Sequence, residues 1–188
     1  MLFRSIVATD IVAKAAPNGQ TLLLGTTGNF AINPALYPKL PFSIPRDFAA
    51  ISHVVSTSSL IYVHPAVPAN SLRDFIAYAI AHPGKLNYSS SGTGSIPHLA
   101  GELLNTAAKI KTIHVPYKGT APANIDLIAN RVQAMFQNGP EAVAHIRAGS
   151  IKLLAVTGDK RSPQFPDTPT FIEAGVPGFV TYSWYGLS

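Results

Sequence analysis

The chain has 188 residues, 47% hydrophobic and only 12% charged, enough apolar material to fill a core under a neutral, hydroxyl-rich surface. Its 14 Lys and Arg against 9 Asp and Glu are scattered along the chain, without the basic stripe and interleaved aromatics that a nucleic-acid partner needs, and the absence of Cys removes disulfides, thiolate catalysis and thiolate metal sites. No apolar run approaches the length of a membrane span, and residues 1–7 are followed too soon by Asp10 and Lys14 to read as a secretion signal.

In chain order, apolar Ile11, Val12 and Ala15 at helical spacing predict a helix over 9–16, ended by the turn Pro17-Asn18-Gly19. A buried strand is expected over 21–25, then a small polar loop, Thr26-Thr27-Gly28-Asn29, then one or two helical turns over 31–37. The β-rich runs 50–55 and 60–63 follow each other with no helix between them, as where a chain crosses from one lobe to another. Ser71 and Asp74 form a capping box that opens a helix to about His82, with Gly84 as its left-handed stop.

From there strand and helix alternate. Strands are predicted at 86–88, 112–115, 132–136 and 151–156, and helices at 97–109, 121–129 and 141–148, the pattern of a parallel sheet covered by helices. Residues 158–169 read as a return linker, 171–174 as a short helix and 181–187 as an aromatic terminal strand. An aromatic run placed last and a helical pattern that starts almost at Met1 lead to the expectation of a piece of a longer protein.

The segment 89–98 carries the clearest chemistry. Ser89-Ser90-Ser91-Gly92-Thr93-Gly94-Ser95 leaves a strand and enters a helix with Pro97 in its first turn, and no charged residue stands between Leu86 and His98. Backbone N–H groups and hydroxyls at the positive end of a helix dipole hold an anion reversibly. Three other loops share its position after a strand: 26–29, Tyr117-Lys118-Gly119-Thr120 and Gln137-Asn138-Gly139. In a parallel sheet the last two share one edge with the Ser/Gly loop, where Lys118 supplies a charge or a wall, Tyr117 a flat face and Asn138 an amide. Taken singly, such a loop is more often a turn that caps a helix.

Other chemistries find less support. His98 reads as a local hydrogen-bond partner and His114 as packed, with no second His or carboxylate at metal-ligand spacing. No Gly-x-Ser-x-Gly nucleophile loop and no Lys-bearing phosphate loop is present, and neither Asp126 nor Asp159 is tied to a histidine, so neither an enzyme nor a cofactor is expected.

The segments 17–25, 31–37, 83–92, 114–119 and 183–187 resemble, in order, the Bug family of extracytoplasmic solute receptors of tripartite tricarboxylate transporters. The resemblance implies an α/β fold of the type II periplasmic-binding-protein kind, two lobes with parallel-type sheets that close on a small organic acid, and a periplasmic location with membrane permease subunits as partners. Carried over by motif, Thr26, Thr27, Ser90, Gly92, Ser95, His98, Tyr117 and Lys118 line the cleft. Asn29, Thr93 and Asn138 join them from the loop chemistry above. Asn29-Phe30 departs from the Thr-His often found there in the family, which bears on ligand choice.

The family also has a first strand and a Gly-rich loop ahead of the segment matched by Met1, and a region beyond Leu187. The expected organisation is therefore a partial first lobe at 1–62, a second lobe at 63–160 and a return segment at 161–188, with weak or absent binding of the acid because half of the donors are lacking. Capture of a carboxylate for transport is the leading reading. A ligand-sensing or partner-docking module of the same fold is the alternative.

Overall fold

The computed structural model describes residues 4–138 and 142–188. They form two compact units, one up to Ser56 together with Ser183–Ser188, the other Thr57–Tyr182. No helix among the described residues is long and apolar enough to cross a membrane.

The first unit contains α1 (Arg4–Ala13), β1 (Leu24–Thr26), a π-helical turn Gly28–Ile32, α2 (Asn33–Leu36) and α3 (Ile44–Asp47). It also holds the first part of β2 (Ser52–Val63) and most of β7 (Tyr182–Leu187), which pairs antiparallel with β1 so that Thr26 lies opposite Tyr185. Phe30 stacks on Trp184 at 5.7 Å, and a Cβ on Gly25 would stand 2.3 Å from the Phe30 ring, which explains the glycine there. The strand expected over 21–25 is shorter at its start; Leu23 still exchanges backbone bonds with Ser188, but Leu22 is exposed.

The second unit contains α4 (Leu72–Ala81), β3 (Asn87–Ser90), α5 (Ile96–Ala107), β4 (Ile113–Pro116), α6 (Thr120–Ile128), β5 (Ala134–Asn138), α7 (Val143–Arg147) and β6 (Lys152–Val156). Its strands run in the order β6-β2-β5-β3-β4. Side chains alternate across the sheet with period two. Ile61, Val63, Ala134 and Phe136 face α4, α5 and Phe171 and Phe179, whereas Leu60, Tyr62 and Met135 face Ala123 and Leu127 of α6 and Ala142 beside α7. Helices therefore cover both faces. Residues 161–182, read from the sequence as part of a return segment, belong to this unit and deliver Phe171, Val176 and Phe179 to its core.

Three local expectations change. The runs 50–55 and 60–63 are one strand, β2, with its first five residues exposed and its last five buried; Ser and Thr between the runs continue the extended backbone. The sheet is mixed: β3 is parallel to β4 and β5, but β2 is antiparallel to β5 and β6. Although α4 joins β2 to β3, the two strands run in opposite directions, so a helix between strands did not settle the sense of β2, which its pairing with β5 and β6 sets. The expected helix 171–174 is a single turn, closed by Ala174 N–H to Thr170 O and ended by Gly175 at φ +96°. Gly139 and the start expected for helix 141–148 lie outside the described residues.

Candidate functional site

The parallel run of β3, β4 and β5 brings their C-terminal ends, Ser90, Pro116 and Asn138, to one edge of the second unit's sheet. Because β2 runs the other way, Ser59 meets Asn138 at that same edge. Helices α5 and α6 both start there, each after a short loop, and the two loops are tied together by Tyr117 N–H to Ser90 O at 3.1 Å and Gly119 N–H to Ser91 O at 3.2 Å. Two helix N-termini at one sheet edge place positive dipole ends where a ligand of an open α/β sheet is held.

The 91–95 loop is organised by hydroxyls and glycines. Ser95 caps α5, its Oγ accepting the His98 N–H at 3.3 Å and donating to Gly92 O at 2.7 Å. Gly92 and Gly94 take φ of +140° and +81°, left-handed backbone that other residues adopt only with strain. The Gly92 N–H donates to Ser90 Oγ and the Gly94 N–H to His98 Nδ1, both at 3.2 Å. The N–H groups of Ser91, Thr93 and Ile96 have no partner among the described residues. Thr93 is exposed and Ser90 fully buried. The arrangement offers three unused amides beside two helix starts, with no carboxylate in the loop itself.

Below the loop lies a small aromatic cluster. His114 Nε2 is 2.7 Å from Ser90 Oγ, its ring stacks on Tyr88 at 5.0 Å and stands 4.2 Å from the His98 ring. Burial, and then the neighbouring His98, push His114 down to about 4; burial also lowers His98, with Glu102 opposing. Both rings are neutral at pH 7. The Tyr88 hydroxyl donates to Glu102 at 2.6 Å, and burial followed by that carboxylate raises its ionisation far above the usual phenol range. Tyr117 donates to Asp126 at 2.7 Å, Arg131 holds the other carboxylate oxygen, and burial ahead of this bond moves the phenol to about 12.

The structure brings Ser90, Gly92, Thr93, Ser95, His98, Tyr117, Lys118 and Asn138 to this edge or its loops. Ser90 ends β3 and Asn138 ends β5, so both are strand residues and not loop residues. Lys118 is exposed. Thr26, Thr27 and Asn29 belong to the first unit. There Asn29 Oδ1 accepts from Thr26 N–H and Oγ1 at 3.0 and 2.8 Å, while its Nδ2 donates to Ser5 O and Thr9 Oγ1 at 3.2 and 2.8 Å. All four of its hydrogen-bonding positions are filled from within the chain. Thr27 Oγ1 both donates to Trp184 O at 3.2 Å and accepts Trp184 N–H at 2.8 Å.

Sequence reasoning passed over Ser59 and Thr157. Ser59 Oγ donates to Asn138 Oδ1 at 3.2 Å, and Thr157 Oγ1 accepts the Ser59 N–H at 2.9 Å. Their signal was a hydroxyl just before the run 60–63 and another just after the run 151–156. Neither is informative until register places them at the edge.

Residues 4–188 match the family model described as tripartite tricarboxylate transporter family receptor. Protein BugT of Bordetella pertussis is 36% identical over 185 residues, covering 97% of this chain and 56% of BugT. A protein from the tcbD-tcbE intergenic region of Pseudomonas sp. strain P51 is 36% identical over 97% of this chain and 54% of its own length. The chain thus spans about half the length of the curated relatives it matches. Among solved structures, R. palustris Rpa4515 with adipate superposes with a TM-score of 0.92 at 37% identity, covering 97% of this chain and 61% of that one. MatC from Rhodopseudomonas palustris with bound malate gives 0.87 at 34%, covering 100% and 64%. The periplasmic binding protein BugD gives 0.88 at 33%, covering 97% and 60%. The α/β fold expected from the sequence, that of periplasmic binding proteins, is the fold observed, and the chain belongs to the family of tripartite tricarboxylate transporter receptors.

Proposed function

We propose that this chain captures a small organic acid for a tripartite tricarboxylate-type transporter, in the periplasm, with membrane permease subunits as the recipients. The observation that carries the reading is the 91–96 segment, where the amides of Ser91, Thr93 and Ile96 have no partner among the described residues, at the start of α5 and with no acidic residue in the segment. Dipoles and neutral donors bind a carboxylate and release it again, as delivery requires. Relatives of the same family hold adipate and malate in their solved structures, which makes a dicarboxylate the first ligand class to try.

Within this proposal Ser91, Thr93 and Ile96 supply backbone N–H groups, Ser95 shapes the loop, and Tyr117, Lys118 and Asn138 border it. In the first unit, Thr26 and Thr27 remain proposed contacts, while Asn29 serves them by holding the 26–29 turn. Amide-resolved NMR titration of the chain with adipate and malate tests this. The expected result is saturable shifts concentrated at Ser91, Thr93 and Ile96. Shifts that scatter over the surface, or that centre away from this segment, would sink the proposal.

A further inference from the structure

Along the 91–96 segment the amides divide by partner. Those of Gly92 and Gly94 bond inward, to Ser90 Oγ and His98 Nδ1, and that of Ser95 bonds to Gly92 O, each at 3.2 Å, while those of Ser91, Thr93 and Ile96 have no partner among the described residues. The inward bonds end on two imidazoles, directly at His98 and through the Ser90 hydroxyl, 2.7 Å from Nε2, at His114. A ring nitrogen that accepts an N–H carries no proton, so His98 is neutral with its hydrogen on Nε2.

We propose that His98 is a positioning residue of the carboxylate loop: its unprotonated Nδ1 holds the Gly94 N–H, which fixes the backbone that carries the unpartnered amides without the ring touching the acid, and protonation of that ring weakens binding. The proposal rests on the carboxylate reading above. His114 does not have the same leverage. With a proton on His114 Nε2, the Ser90 hydroxyl accepts that N–H and gives its own hydrogen to Gly92 O at 3.2 Å, so the contacts survive. At His98 Nδ1 a proton faces the Gly94 N–H directly, and two donors cannot bond.

The groups around His98 act in both directions. From β4, the His114 ring packs at 4.2 Å and stays neutral down to about pH 4, and from α5, Glu102 favours a positive charge on His98. From β3, the Tyr88 hydroxyl occupies Glu102 at 2.6 Å and the His98 carbonyl at 3.2 Å. Burial of His98 outweighs Glu102, so the ring stays neutral below its ordinary range.

Two substitutions separate positioning from contact. In His98→Asn the amide oxygen stands near the place of Nδ1; in His98→Gln it stands near Nε2. Calorimetric titration with adipate should find His98→Asn within about threefold of the parent at pH 7.5 and His98→Gln weaker by about tenfold, the worth of one hydrogen bond. As pH falls below the ordinary histidine range, the parent should lose affinity relative to His98→Asn, a comparison that cancels the titration of adipate itself. If His98→Gln binds normally and His98→Asn does not, the ring contacts the acid and the proposal fails. An arm without ligand follows the His98 ring and the Gly94 amide by nitrogen-15 NMR in the parent chain. The Gly94 signal should move with the ring's protonation, and independence of the two would overturn the proposal whatever adipate does. Coupled signals with no adipate binding at any pH would sustain the positioning role and overturn the carboxylate reading.

Discussion

At the scale of single residues, Gly101 shows how much a position can hide. In the sequence it is a glycine inside a helix pattern, a local cost of about 1 kcal/mol against Ala. In the structure, α5 passes so close to β3 that a Cβ at Gly101 would lie 2.2 Å from the Tyr88 ring. Gly101→Ala should therefore destabilise the chain by about 2–3 kcal/mol despite its better helix propensity, measured by urea denaturation. The His114 ring signals should shift too, because Tyr88 stacks on that ring at 5.0 Å; an unchanged or raised stability would refute the packing argument. Asn29 gives the same lesson. Its amide chemistry was readable from the sequence as a donor and acceptor for a ligand, but the saturation of all four positions by Ser5, Thr9 and Thr26 depends on where α1 lies.

Among the elements, those specified by neighbours in sequence were readable. The capping box at Ser71 and Asp74 forms as the spacing requires, with Ser71 Oγ accepting the Asp74 N–H at 3.1 Å and Asp74 accepting the Ser71 N–H at 3.0 Å. Ser71→Ala should cost about 1 kcal/mol in denaturation midpoint analysis, while adipate-induced shifts at Ser91 and Thr93 stay as they are. A loss of those shifts would mean that α4 supports the loop. The alternation from β3 to β6 was equally legible, since period and turn residues are local signals. The direction of β2 was not, because a strand's sense in a sheet is set by partners far along the chain, here Asn138 opposite Ser59. Ser59 and Thr157 stayed invisible as site-edge residues for the same reason. The order strand, Ser/Gly turn and capped helix was legible, though Ser89 and Ser90 belong to β3 and not to the turn, and the inward bonds of its two glycines needed the ring of His98 and the hydroxyl of Ser90 in place.

For the molecule as a whole, two sets of groups predict how stability depends on pH. His98 and His114 titrate below their ordinary value of 6.5, His114 at about 4, so the unfolded chain binds more protons than the folded one in this interval. Stability then rises with pH from about 4 to about 6.5 and is lost on acidification through that window. With both rings only partly buried, solvent screening limits the loss to on the order of 1–2 kcal/mol. The carboxylates behave in the opposite chemical sense but add to the same acid side. Asp47 is held at about 2, first by its bond to Arg46, and Asp74, Asp126 and Glu173 are lowered by Ser71, Tyr117 and the Thr170 backbone in turn. Their contribution is present above about pH 4 and disappears as they protonate below it. The net charge of +5 at pH 7 grows at the same time, so repulsion steepens the second phase. Thermal unfolding followed from pH 7 to pH 3 should show Tm falling in two stages, and a His98→Asn, His114→Gln double variant should flatten the first while leaving the second. A single transition below pH 4 in the parent would mean that the histidine cluster under the loop charges without cost.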